Sequence, residues 1–417
     1  TKTEDGLRKA ISVDGILGGN HISMDYINKL KDNGVSIAAN GICYSRKRKG
    51  FLPSLMEKMY QERKMYKGKM IECQKRQQAG EKGLENDIAK YHNFQLVRKI
   101  QLNSAYGAIG NQYFRYYDVD MAESITISGQ LSIRWIEKAL NRFFNDTLET
   151  DNYEYVIASD TDSVYLRLGK LVEKVLNPFS SKKEIVDFLD KSSREIILPF
   201  IKKQYDELAG MMNAYENKMV MDRECIADKA VWTAKKRYMM RVHDSEGVRY
   251  DPPKQKIMGI ETTRSSTPQV VRDSLKKAIN LILTSDEDSV IDFIENFKEK
   301  FTKFEPEDIA FPRGVNGLNK YLDKRNIYRK STPIAVKGAL IYNHYLKQHN
   351  LQRKYRSIME GEKIKFLYLK SPNPCGGAMG QDQVISFGNS LPKEFGLNEY
   401  IDYDVQFEKA FLDPIKN

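Results

Sequence analysis

Two long helical patterns separated by a short break leave this chain little choice of local arrangement. Residues 53–75 carry Leu55, Met56, Met59 and Tyr60 on one side, and residues 84–107 continue as a second helix. Pro53 suits a first helical turn, where the missing N–H leaves no bond unmade. Only QQAGEKG, residues 77–83, lies between the two patterns. Helices joined by so short a connection must lie antiparallel and side by side. A third helix is expected over 120–148, with an apolar stripe of Leu131, Trp135, Ile136, Ala139, Leu140 and Phe143 that reads as core. Asp120 and Glu123 have capping-box spacing at its start.

Elsewhere the period shortens to two. The segment YEYVIASDTDSVYLRL, residues 153–168, sets apolar runs on both sides of a polar centre and reads as a hairpin. Residues 218–226 and 229–242 read as further strands, the second turning at 244–247 into another. Helices return at 268–283 and 289–301, and the remainder is mixed and rich in Tyr, Lys and Gly. The first 45 residues read as irregular structure with one helix near 24–31. Strands and helices in separate runs imply an α+β fold with antiparallel sheets.

Composition narrows the function classes. With 417 residues the chain can hold roughly two to four domains. No apolar run approaches the roughly 18 residues of a membrane span, and the N-terminal TKTEDGLRKA does not resemble a signal peptide. Cys43, Cys73, Cys225 and Cys375 form no C-x-x-C pair, which argues against a zinc site or a disulfide framework. The net charge of +11 suits a polyanionic partner, because neutralising phosphates releases counterions. Charge of that size also occurs in proteins that bind no nucleic acid.

The sharpest chemistry is Ser159-Asp160-Thr161-Asp162-Ser163. Two aspartates two apart on extended chain project to one face. At a tight turn they make a concentrated oxygen site that repels itself unless a cation binds. Mg2+ suits it, taking a few carboxylates and leaving room for phosphates. The other reading is a polar turn, where Asp and Ser serve the backbone; the flanking apolar strands favour carboxylates held by a buried sheet. Asp222-Arg223-Glu224 ends a strand-like segment and offers Glu224 as a supporting acid, or else an exposed salt-bridging edge.

Arg63 and Lys67 are four apart on the first long helix, and Lys99 and Asn103 repeat that spacing on its partner, which Tyr106-Gly107 closes. Three cations on facing helices can grip a triphosphate; solvated helix faces are the alternative. Lys235-Lys236-Arg237-Tyr238 reads as strand, its cations meeting either a DNA backbone or minor groove, or solvent along an edge that discourages aggregation.

In this order the pieces resemble family B DNA polymerases, most closely the replicative polymerases of T-even-type phages. Lys99-Ile-Gln-Leu-Asn103-Ser104-Ala-Tyr106-Gly107 resembles the fingers motif K-x-x-x-N-S-x-Y-G. Residues 159–163 resemble the palm motif G-D-T-D-S, with Ser159 in place of Gly, and residues 235–238 match the primer-binding K-K-R-Y. Lys256-Ile-Met-Gly-Ile-Glu-Thr, Ser265-Ser-Thr-Pro268 and Glu360-Gly-Glu-Lys363 are similar to the end of the palm and the thumb.

The resemblance implies a right-hand polymerase, with a palm remnant at 1–49, fingers at 50–111, palm at 112–267 and thumb at 268–417. It implies primer-template DNA and dNTP as substrates, with two Mg2+ ions, or Mn2+ in their place, held by Asp162, Asp160 and Glu224. Asp162, Asp160 and Lys99 are then catalytic. Arg63, Lys67 and Lys99 hold the triphosphate, and Asn103 and Tyr106 lie beside the nascent base pair. Gly107, Lys235, Lys236, Arg237 and Tyr238 contact DNA, with Lys236 reaching the primer terminus. Lys67 and Lys99 lie close in sequence, so the fingers form a trimmed hairpin.

The family's motif D-x-x-S-L-Y-P, which carries the other metal-binding aspartate, occurs nowhere in these residues. That implies a second polypeptide supplying this motif and the exonuclease domain, or a longer chain of which these residues are one part. A sliding clamp is a further candidate partner, although residues 411–417 lack the aromatic tail usual for that contact. No membrane partner is expected, and the expected location is the cytoplasm of a bacterium, phage-infected or otherwise.

Overall fold

The computed structural model describes residues 11–375 and 383–416, the side chain of Ile22 excepted. The polar N-terminal segment TKTEDGLRKA, residues 376–382 and Asn417 lie outside the described residues. The chain divides into two compact units, Thr1–Ile226 with His243–Pro252, and Ala227–Val242 with Pro253–Asn417. The expected boundaries at 50 and 112 fall inside the first unit.

In the first unit, helix α1 (His21–Asp32) leads to a small antiparallel hairpin, β1 (Val35–Ile37) and β2 (Cys43–Ser45). The two long helices follow as α2 (Phe51–Gln78) and α3 (Glu85–Ile109), packed against each other as the short connection requires. Their contact is not an apolar seam. Leu55 and Tyr60 of the expected apolar side stay 41% and 44% exposed, and Cys73 is the buried residue of α2. Tyr66 instead meets Phe94 edge-on at 5.0 Å, and the Arg98 guanidinium sits 5.0 Å over Tyr66 while bonding Glu62 at 3.1 Å. Aromatic and charged contacts hold two helices whose other faces remain wet.

Helix α4 (Val119–Leu148) is the spine of the unit, with Leu131, Ile136, Leu140, Phe144 and Leu148 buried. Its cap is Asp118, whose carboxylate accepts from Met121 N at 2.9 Å. Asp120 falls in the first turn, and Glu123 accepts from Asn40 instead of closing a capping box. The hairpin β3 (Val156–Asp160) and β4 (Ser163–Leu166) follows. A helical run follows: α5 (Lys182–Ser192), a π-type turn at Ser193–Ile197, and α6 (Leu198–Met211), which packs on α4. Ile197, Ile201, Tyr205 and Leu208 complete this core, and Phe143 stacks on Phe200 at 4.4 Å.

A three-stranded sheet follows, in the order β5 (Cys225–Ala234), β6 (Arg237–Ser245), β7 (Val248–Met258). Residues 218–224 are not strand, and the strand expected over 229–242 is broken at Lys235–Lys236. Lys236 adopts φ +63, so the chain reverses there. Gly259, at φ +69, leaves the space for that turn, since a Cβ on it would collide with the Lys236 carbonyl oxygen.

The second unit continues with α7 (Gln269–Thr284) and α8 (Glu287–Phe301). After them come β8 (Phe311–Gly314), a two-residue pair β9 (Leu322–Asp323) and β10 (Ile327–Tyr328), α9 (Ile334–Gln348), β11 (Lys363–Tyr368) and β12 (Val384–Phe387). β11 is central and antiparallel to both β8 and β12. Helix α9 lies on β12 at Gly338, where an added Cβ would come within 2.7 Å of Ser386 N. Phe297, Phe301, Phe407 and Phe411 close the core, with Phe297 and Phe411 rings 4.6 Å apart. The architecture is α+β, and no described helix is long and apolar enough to cross a membrane.

Candidate functional site

The Asp160–Asp162 turn is aimed by helix α4. Asn141 Oδ1 accepts from the backbone N–H groups of Tyr155 and Val156 at 2.8 and 2.9 Å. One turn later, Asn145 Oδ1 accepts from Tyr153 N at 2.9 Å, and its Nδ2 donates to Tyr153 O at 2.9 Å. Tyr155 is fully buried, tilted on Phe144 at 5.1 Å. Strand β3 therefore leaves a rigid helix with its register fixed. Neither asparagine was singled out by sequence; the signal was polar residues four apart inside an apolar helix.

The two carboxylates are not equivalent positions on one strand. Asp160 pairs with Ser163 as the last strand residue, while Thr161 and Asp162 form the turn. The sheet is two-stranded and half-buried rather than a buried platform. Thr161 takes φ +58, an uncommon conformation for a β-branched residue. Local bonds hold it there. Asp162 N donates to Asp160 O at 2.6 Å, Ser163 Oγ donates to Asp160 O at 3.2 Å, and Thr161 Oγ1 donates to Asp160 Oδ1 at 3.0 Å. Asp162 is exposed and Asp160 half-buried.

Two carboxylates at one turn are hard oxygen donors of the kind Mg2+ prefers, and suffice as part of a ligand set. Among the described residues no three His, Cys, Asp or Glu side chains gather to hold a metal ion, so Glu224 is not brought into a triad with Asp160 and Asp162.

Behind the turn, burial first, and then the Asp162 charge, push the Tyr205 phenol up to about 12. The ordinary value is 10.0, so Tyr205 favours the fold below pH 10 and loses that contribution as pH rises towards 12. In a spectrophotometric titration, the phenol missing from Tyr205→Phe should ionise only near pH 12. Asp162→Asn should lower that midpoint in part, because burial is the larger cause.

The cations sit where the helical hairpin places them. Arg63 and Lys67 are half-buried on α2, and Lys99, Asn103, Tyr106 and Gly107 are exposed on α3. Arg63 Nε is buried without a hydrogen-bond partner, a donor waiting for an acceptor. Tyr106 shares a hydroxyl contact of 2.6 Å with Thr126 of α4. Lys67 forms an ion pair with Glu246 at the tip of the β6–β7 hairpin.

Sequence reasoning saw that tip only as a turn. Asp244 is fully buried, accepts from Gly247 N at 2.9 Å, and is bound by Arg223, which also reaches Asp190 at 2.6 Å. Arg249 Nε lies 2.9 Å from Asp244 Oδ2, a distance of charge attraction without the alignment of a hydrogen bond. The arginine expected on a salt-bridging edge thus anchors a buried network. Glu224, beside it, accepts from Glu246 N through its backbone at 2.7 Å.

In the second unit, Lys235 and Lys236 form an exposed turn rather than strand interior, and Arg237 opens the central strand, bonded to Glu261 at 3.0 Å. Tyr238 is buried against Trp232, ring centres 5.8 Å apart.

The model of DNA polymerase family B matches residues 20–186. The chain is 32% identical to the DNA-directed DNA polymerase of Enterobacteria phage T4, over 91% of this chain and 47% of that protein. It is also 32% identical to the DNA-directed DNA polymerase of Escherichia phage RB69, over 94% of this chain and 49% of the relative. A DNA polymerase of Pyrococcus glycovorans is 24% identical over 63% of the chain. The chain spans about half the length of the phage relatives it matches.

Proposed function

This chain belongs to DNA polymerase family B, and from that membership we propose that it forms part of a DNA-directed DNA polymerase. In this reading residues 1–49 and 112–267 build the palm, 50–111 the fingers and 268–417 the thumb. The observation that carries it is the rigidly aimed Asp160–Asp162 turn, in the same unit as antiparallel helices bearing Arg63, Lys67 and Lys99.

Asp160 and Asp162 would hold divalent metal, Mg2+ or Mn2+. When bound, two such ions supply Lewis-acid stabilisation of the phosphoryl charge and of the attacking oxygen. Arg63, Lys67 and Lys99 bind and orient the triphosphate of a dNTP. Lys99 also neutralises charge on the reacting phosphate. Asn103, Tyr106 and Gly107 line the nascent base pair. The Lys235–Lys236 turn, with Arg237 and Tyr238 behind it, holds the primer strand. The primer 3′-hydroxyl oxygen bonds to the α-phosphorus, the bond to the β-phosphate oxygen breaks, pyrophosphate leaves, and the hydroxyl proton passes to solvent.

The remaining metal aspartate and the exonuclease come from sequence outside these residues that carries D-x-x-S-L-Y-P, and a sliding clamp is a further partner. The setting is bacterial cytoplasm, phage-infected or otherwise. Primer extension tests this directly. These 417 residues alone should extend a primer negligibly, and supplying a polypeptide with that motif should raise the rate by at least about a hundredfold, the scale of one lost electrostatic stabiliser. Robust extension by these residues alone overturns the reading that the motif is needed.

A further inference from the structure

Of the cations on α2, Lys67 is held by a residue remote in sequence. Its Nζ meets Glu246 Oε1, with the two side chains 37% and 27% exposed. Some ion pairs of this unit join residues one helical turn apart, as Lys202 and Asp206 do. Such pairs are flexible and contribute little. The Lys67–Glu246 pair differs because its acidic partner is built into a rigid tip.

Three observations show the rigidity. Glu246 has φ +55 and Gly247 φ +82, so consecutive residues take the left-handed conformation. The buried Asp244 carboxylate accepts from Gly247 N and is clamped by Arg223, whose side chain is only 13% exposed. Glu246 N donates to Glu224 O at 2.7 Å, which ties the tip to the chain carrying Arg223. The glutamate is thus delivered to α2 at little further entropic cost. Next along the helix, a Cβ on Gly247 would lie 2.7 Å from Lys75 Nζ, so the tip lies close against α2 over two of its turns.

We propose that Glu246 is a built-in competitor for the triphosphate: its carboxylate occupies Lys67 until a polyphosphate displaces it, and so sets nucleotide affinity. This rests on the reading of Lys67 as a triphosphate ligand. A carboxylate carries one negative charge and a triphosphate several, so the ligand wins Lys67 when present. Arg63, one turn away on the same helix and half-buried, adds a second cation for the incoming anion. The competitor weakens binding and speeds exchange. It also keeps a half-buried lysine compensated when no nucleotide is bound.

The test is calorimetric titration of the full chain with inorganic tripolyphosphate, which isolates the anion from base and metal. Glu246→Gln keeps size and removes charge; Glu246→Gly removes the side chain at a position whose φ suits glycine. Both should bind tripolyphosphate about two- to fivefold more tightly than wild type, the range of a partly exposed ion pair. Lys67→Ala should bind it more weakly, and adding Glu246→Gln to Lys67→Ala should change nothing further. A merely structural glutamate would not give that cycle. If both Glu246 variants bind as wild type does while Lys67→Ala weakens binding, the inference is overturned and the reading of Lys67 stands. If Lys67→Ala leaves binding unchanged, both fall together.

Discussion

Replacing Asp162 by Asn in the reconstituted enzyme should lower nucleotide incorporation by about two to three orders of magnitude. Asn preserves the volume of the side chain and removes its charge, so the loss reports electrostatics. Asp162 is exposed, and a substitution at such a site usually moves stability by no more than about 0.5 kcal/mol. Activity and stability should therefore separate: single-turnover incorporation collapses while the urea midpoint holds. Asp160→Asn should behave alike in activity but disturb the turn more, because Thr161 Oγ1 donates to its Oδ1. Undiminished synthesis by Asp162→Asn would remove the metal assignment and favour a non-catalytic DNA-binding scaffold.

The largest loss of stability is expected at Asp244→Ala, about 3–5 kcal/mol in urea unfolding. Asp244 has no exposed surface, and Arg223 beside it is 13% exposed. Removing the carboxylate leaves Arg223 buried with Asp190 as its remaining acid and frees Gly247 N of its acceptor. Arg223→Ala should cost a similar amount, and the double variant less than the sum, since each leaves the other uncompensated. Asp206→Ala, at an exposed pair with Lys202, should cost far less. Equal small effects at both sites would show that the network does not brace the tip.

What could be read from sequence was governed by local rules. The helices α2 and α3 and the β3–β4 hairpin follow from spacing and a short connection, and both emerged near the expected residues. Features imposed from a distance were hidden. Nothing local marks Lys236 for φ +63; the space for that turn comes from Gly259. Asp118 rather than Asp120 caps α4, a two-residue shift between equally good caps. Leu55 and Tyr60 share one side of α2 in the sequence pattern, yet α2 packs through Tyr66 and stays wet on that side.

The candidate site divides the same way. Asp160, Asp162, Arg63, Lys67 and Lys99 carry their chemistry in residue type and spacing. Tyr205, Asp244 and Glu246 act through burial and partners far along the chain, which no pattern displays; Asn141 and Asn145 show only as polar residues four apart inside an apolar helix. Arg223 was read as a salt-bridging edge and is the buried strut of the tip.

The hairpin's role can be measured on this chain without any partner. Substoichiometric Mn2+ added to the protein carrying 15N-serine should broaden the amide signals of Ser159 and Ser163, which flank Asp160 and Asp162, ahead of the other serines. The double variant Asp160→Asn, Asp162→Asn should abolish that selectivity. Broadening that spares these two serines, or persists in the double variant, would mean that the turn is not where the metal binds.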